Sequence, residues 1–189
     1  KTIYQLLDFD NGTILYDGES QVDIDKFSML FQYGALFDSL KISENIAFTD
    51  FIKNKTNFEK KVVSLMGDVG LDKSIYNKFP SEISGGMKKR VALARALYKN
   101  PKVIFLDEPT TGLDPINSDK INELILKVIT TRKITAVTIT HDIKSAIKTG
   151  DHYYFIDKGI IQDKGDCNKI LKTKNRVFKS FITGADIKQ

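Results

Sequence analysis

Two adjacent carboxylates, Asp107 and Glu108, close the apolar run Val103-Ile104-Phe105-Leu106. The run is bounded by Pro101 and Asp107, which predicts a strand buried on both faces. Side chains alternate along a strand, so the two carboxylates cannot point the same way. Like charges desolvated together are also costly without a cation or hydrogen-bond donors. Phosphoryl transfer supplies a reason for both: Asp107 to hold Mg²⁺, directly or through water, and Glu108 to orient or deprotonate an attacking water. The plainer reading makes the strand-end aspartate a cap for the next helix and leaves Glu108 solvated.

Three further features carry chemistry of the same kind. Ile83-Ser84-Gly85-Gly86-Met87 opens a predicted helix over residues 86–98. Glycines at a helix N-terminus let a ligand approach the backbone, and the free N–H groups and helix dipole favour an anion there. Ser84 adds a hydroxyl, or simply caps the helix. His141 follows a predicted strand at 134–140. A lone histidine is usually structural, but ligands bind at the C-terminal ends of parallel strands. Gln32 closes a short apolar strand expected at 29–33.

The elements that must position these groups read as follows. Residues 1–7 suit the end of a helix, Asp10-Asn11-Gly12 a turn, and 13–16 a short strand ended by Asp17-Gly18. From 39 to 80 apolar residues recur at helical spacing, with Phe58, Val62, Leu65, Met66 and Val69 as one stripe. Beyond residue 80 the chain alternates: helix at 86–98, buried strand at 103–106, helix at 117–130, a second buried strand at 134–140 and a short helix at 143–148. Asp157-Lys158-Gly159 then marks a hairpin between 153–156 and 160–162, and a helical tail spans 169–183. This rhythm predicts an α/β core with parallel strands.

The chain has 189 residues, enough for one domain with a sizeable core. Its net charge of +5 raises nucleic acid as a partner. Against that, only Arg90, Arg95, Arg132 and Arg176 are arginine, and the lysines are scattered among acidic residues, so no nucleic-acid partner is expected. Cys167 is the only cysteine, which rules out a disulfide within the chain. No apolar run has the length needed to span a bilayer.

In order, Gln32, Ser84-Gly85-Gly86, Asp107-Glu108, Gly112-Leu113-Asp114 and His141 resemble the motifs of ATP-binding-cassette (ABC) transporter ATPases, over roughly residues 1–165. Gln32 matches the Q-loop glutamine, 83–87 the signature sequence with Ile83 in place of the usual leucine, 103–108 Walker B, 112–114 the D-loop and His141 the switch histidine. The resemblance implies a P-loop NTPase-like ABC core with a parallel sheet and a small helical subdomain. The implied segments are 1–38 and 99–165 for the core, 39–98 for the helical subdomain with its signature helix, and 166–189 for a C-terminal tail. It implies ATP and Mg²⁺ as cofactors and a head-to-tail dimer with a second copy. Ser84, Gly85 and Gly86 would bind the γ-phosphate held by that copy, and Asp107 and Gln32 would address Mg²⁺. Glu108 would act as base or water-positioning group, and His141 would contact the γ-phosphate. Asp114 would join the nucleotide site at the dimer interface.

The family's G-x-x-x-x-G-K-[ST] loop is not in this sequence. The expectation is an N-terminal truncation and a fragment that alone binds ATP poorly and does not hydrolyse it. The short span from Gln32 to Ser84 suits transporters rather than relatives with long coiled coils there. Residues 31–40, 44–48 and 79–90 look like the cassette of Mla-type (MCE-associated) phospholipid transporters, Met87 most of all. That resemblance implies a transmembrane permease docking near Ala35, Leu36 and Phe37, a lipid-binding MCE-type partner, and a peripheral place on the cytoplasmic face of a bacterial inner membrane. The alternatives are the ATPase of another transport system, or a catalytically silent interaction subunit.

Overall fold

Strands β1 (Phe27–Leu30), β2 (Val103–Asp107) and β3 (Thr135–Ile139) form an all-parallel sheet in that order. The protein's structure, a computed structural model, describes Asp8 and residues 10–20 and 23–184. The helix end expected at 1–7 lies outside the described residues. Parallel neighbours cannot be joined by a tight turn, and helices fill both crossovers. Between β1 and β2 run α1 (Ile42–Ile46), α2 (Phe48–Phe51), α3 (Glu59–Asp68) and α4 (Gly85–Leu97). Between β2 and β3 runs α5 (Pro115–Arg132). The register sets Phe27 against Val103, Leu30 against Leu106, Val103 against Thr135 and Asp107 against Ile139. β2 is thus the central strand, and Ile104, Phe105 and Leu106 are buried as their unbroken apolar run predicts.

The chain divides into two units, residues 1–139 and 140–189. In the first, the predicted stripe on α3 is real: Val62, Leu65, Met66 and Val69 are buried and Phe58 packs partly against them. α4 is apolar on most of its surface, with Val91, Ala92, Leu93, Ala94, Ala96 and Leu97 all buried. Such a helix needs cover on several sides; α1, α3 and β1 provide it. Arg90 ties it further, donating to the Val69 carbonyl at the end of α3 at 2.7 Å. Asn45, fully buried on α1, donates to the Phe37 and Leu40 carbonyls at 3.0 Å each and accepts from Phe37 N at 2.9 Å. It thereby satisfies backbone groups of a loop that no ladder pairs.

In this unit three expectations change. The strand expected at 29–33 lies at Phe27–Leu30, and the chain turns at once. Gly34 N donates to Phe31 O at 2.8 Å, and Gly34 and Ala35 have φ of 73° and 45°, incompatible with a strand. Residues 13–16 make no strand; Tyr16 and Glu19 form an isolated bridge around Asp17-Gly18, with no neighbour for a ladder. β3, expected to be buried, is largely open, with Val137 43% and Ile139 51% exposed. Among the described residues it is one of the two edge strands of its sheet. An apolar run shows that a strand is suited to burial, and the three-stranded sheet leaves these faces uncovered.

The second unit holds α6 (Ile143–Thr149), an antiparallel hairpin of β4 (His152–Asp157) and β5 (Ile160–Asp166), and α7 (Arg176–Thr183). Lys158 and Gly159, at φ 50° and 77°, make the tight turn that the sequence signals. The expected helical tail breaks at 173–175 into a 3₁₀ segment (Cys167–Lys172) and α7, which Asn175 caps by accepting from Phe178 N. Phe178 stacks on Phe155 at 4.3 Å and, with Cys167 and Ile170, forms this unit's core.

Candidate functional site

The end of β2 is where the two carboxylates part company. Asp107 is the last strand residue, paired with Ile139. Glu108 follows in the left-handed region at φ 47°, a conformation that costs a non-glycine residue about 1–2 kcal/mol. Its N–H still donates to the Ile139 carbonyl at 2.9 Å, which carries the ladder one residue past the strand. The Thr111 hydroxyl donates to Glu108 Oε2 at 3.0 Å, and Thr111 N donates to the Glu108 carbonyl at 3.2 Å. Both carboxylates are half-buried. Strain held at the C-terminal end of a parallel strand is a recurrent sign of function.

α4 begins with Ser84 as its N-cap, the hydroxyl accepting from Met87 N at 3.3 Å. This confirms the capping role that the sequence allowed. It leaves the surface open, because apart from the adjoining residues and the helix's own backbone no atom lies within 4 Å of where a Cβ would stand at Gly85 or Gly86. The arrangement fits an anion such as a phosphate, which would meet free N–H groups and the positive end of a thirteen-residue helix.

Gln32 sits in the turn after β1 rather than at a strand end, and its carbonyl accepts from Lys89 Nζ. Lys89 is 9% exposed. Burial pushes its ammonium below the usual lysine range, and the charge of Glu108 pulls it part of the way back. Lys89 therefore relates Gln32, α4 and Glu108 to one another. Sequence reasoning passed over it, although the signal was present: Lys89, Leu93 and Ala96 fall on one helical stripe, so a lysine stands in an otherwise apolar row. Thr111 was also missed, and no spacing rule marks it.

Asp114 caps α5, accepting from Ile116 N and Asn117 N at 3.1 Å each. The Asn117 hydrogen bonds hold its carboxyl below the usual range. His141 belongs to the second unit and is exposed, just before Asp142, the cap of α6. The first unit thus gathers Gln32, Lys89 and Glu108, with Asp107 beside Glu108.

Among the described residues no group of three or more His, Cys, Asp or Glu could hold a metal ion. Mg²⁺ takes one or two carboxylates and completes its octahedron with water and substrate phosphates. Asp107 and the Gln32 side chain are donors of the right chemistry. Near Gln32, Ala35 and Phe37 line a cavity of about 360 Å³ with Phe31, Phe48 and Arg95. Leu36, grouped with them on sequence grounds, packs against the core instead.

Comparison with known proteins bears on all of this. A family model described as ABC transporter matches residues 1–111. The chain is 32% identical over 177 residues to Protein STAR1 of Oryza sativa subsp. japonica, covering 90% of this chain and 51% of that protein. It is 35% identical over 179 residues to Protein TRIGALACTOSYLDIACYLGLYCEROL 3, chloroplastic, of Arabidopsis thaliana, covering 85% and 52%. With the probable ribonucleotide transport ATP-binding protein mkl of Mycobacterium leprae it shares 32% over 202 residues, covering 99% and 57%. The chain spans about half the length of the curated relatives it matches. In structure it resembles cbiO1 from Clostridium perfringens, described as part of the ABC transporter complex cbiONQ, with TM-score 0.80, 26% identity, and 96% of this chain and 76% of that one covered. It also resembles the ATP-binding cassette MJ0796, a dimer in a post-hydrolysis state bound to ADP and Pi, with TM-score 0.74, 27% identity, and 88% and 78% covered.

Proposed function

This chain belongs to the ABC transporter family, and on that premise we propose that its protein is the subunit that binds and hydrolyses ATP to drive transport. The observation that carries the reading is the end of β2: Asp107 and the left-handed Glu108 close the central parallel strand. The open Ser84-Gly85-Gly86 start of α4 supports it. Mg²⁺ would neutralise developing charge on the phosphates. Asp107 and Gln32 would be its protein ligands. Glu108, steadied by Thr111, would orient the attacking water and draw its proton. Ser84, Gly85 and Gly86 would bind the γ-phosphate across a head-to-tail dimer with a second copy. His141 would contact that phosphate, and Asp114 would lie at the dimer interface.

The cavity beside Ala35 and Phe37 suits an apolar segment of a permease, which would hold the subunit peripherally at the cytoplasmic face of a bacterial inner membrane. Among the described residues no helix is long and apolar enough to cross a membrane itself. For the cargo we favour phospholipid, with an MCE-type partner, on the resemblance at residues 31–48 and 79–90. Names of other relatives include sulfate/thiosulfate import and glycine betaine/carnitine transport, so the cargo needs its own assay.

The test is ATPase activity of the full-length protein with its permease, wild type against Glu108→Gln. Turnover is expected to fall ~10²–10⁴-fold, the span that a positioned base contributes, with ATP binding retained. A native protein that neither binds nor hydrolyses ATP would refute the reading and leave a silent interaction subunit. Lipid transfer between vesicles by the assembled transporter decides the cargo.

A further inference from the structure

α4 carries two cations that donate to the turn after β1. Lys89 Nζ donates to the Gln32 carbonyl. Arg95 donates from Nη2 to the Gly34 carbonyl at 2.5 Å and from Nη1 to the Ala35 carbonyl at 2.8 Å. All three acceptors belong to one turn, closed by Gly34 N on Phe31 O at 2.8 Å. The turn lies hard against the helix, since a Cβ at Gly34 would stand 3.2 Å from the Ala92 Cβ. Lys89 is nearly enclosed, and burying a cation is costly unless acceptors meet it. A solvated lysine at this position would be the cheaper arrangement, so the enclosed one calls for a reason. The turn offers one: its carbonyls have no strand to pair with, and charged donors bind them more strongly than neutral ones.

We propose that Lys89 and Arg95 are positioning residues that fasten the Gln32 turn to the helix opened by Ser84-Gly85-Gly86, so that the turn and the helix move as one piece. The role of Gln32 in the nucleotide site rests on the function proposed above; the fastening rests on the geometry alone. Its consequence is that a shift at the glycine end of α4 is delivered to Gln32 without slack. It also means that the Lys89 ammonium, whose charge Glu108 favours, cannot leave without loosening the turn.

The experiment uses the full-length protein and follows amide hydrogen exchange together with ATPase kinetics in Lys89→Met, Lys89→Arg and Arg95→Met. Lys89→Met is expected to speed exchange across residues 31–36 by roughly tenfold or more, while α4 and β2 keep their protection. Turnover should fall by about the same factor, with KM for ATP changed less than about threefold. Lys89→Arg, which keeps a charged donor, should restore both. Arg95→Met should loosen the same segment. Unchanged exchange at 31–36 in both methionine variants overturns the proposal. So does protection lost equally from 31–36, α4 and β2, which would make both residues general supports of the fold. If Lys89→Met does not fold, Arg95→Lys decides, since loss of its paired hydrogen bonds should raise exchange at 34–36 alone. A wild type without ATPase activity would defeat the functional reading, and the exchange results would still decide the fastening.

Discussion

The Thr111 hydroxyl donates to Glu108 Oε2 at 3.0 Å, within a turn in which Thr111 N also donates to the Glu108 carbonyl at 3.2 Å. A carboxylate held this way is steadied by the turn through one of its oxygens. Thr111→Val removes the hydroxyl and keeps the shape. In the full-length protein it is expected to lower kcat by about tenfold with KM for ATP unaltered, the loss due to one hydrogen bond to a charged group. Thr111→Ser should stay near wild type. Steady-state kinetics on the pair checks this, and equal losses in both would show that the hydroxyl is not the relevant group.

Gly34 meets two constraints at once: φ of 73° and a path so close to Ala92 that a Cβ would stand 3.2 Å away. Gly34→Ala should cost about 2 kcal/mol from backbone strain and crowding together. The measurement is the urea midpoint against wild type. An unchanged midpoint would mean that the turn backs away from α4 freely.

Asp142 caps α6, accepting from Lys144 N at 2.9 Å and Ser145 Oγ at 2.6 Å. Burial pushes its carboxyl up, but the Ser145 and Lys144 hydrogen bonds outweigh that and hold it below the usual range. A depressed folded-state value means that the stabilisation is fully present above the unfolded value, about 3.9, and fades as pH falls through the lower folded value. Asp142→Ala should therefore cost about 1 kcal/mol at pH 7. The gap to wild type should shrink only below about pH 4. Denaturation at pH 7, 5 and 3 tests the sign; a gap that widens towards acid would contradict it.

Elements whose signal is local were plain in the sequence. The strand at Val103–Asp107, the helix that Ser84 caps and the hairpin at Lys158-Gly159 each announce themselves by an apolar run, a cap or a turn dipeptide. β1 was displaced because hydrophobicity continues through Phe31 to Tyr33, whereas pairing with Val103–Leu106 fixes the strand at Phe27–Leu30. Tyr33 turns outward and is 82% exposed. The exposure of β3 was invisible, since an apolar run records suitability for burial and carries no information about neighbours. At the candidate site the paired carboxylates were legible from residue type, while the glycine pair and Gln32 were legible only from their place in the order of motifs. Lys89 showed only as a lysine in an apolar row; its role depends on a carbonyl distant in sequence, and only folding brings the two together.

The order of strands in the sheet has a consequence for how the chain is made. β2 reaches β3 across one helix, α5, so that part of the sheet closes over a short loop. β1 must wait for β2 until α1 to α4 have all been synthesised, and closing the longer loop costs more entropy. On the ribosome the segment Phe27–Leu30 emerges before β2, the strand it pairs with among the described residues. The Gln32 turn that follows it has no seat until α4 exists. This part of the site is assembled late, from parts made early, and in the interval the edge of β1 that β2 will cover stands open to any other chain that offers a strand.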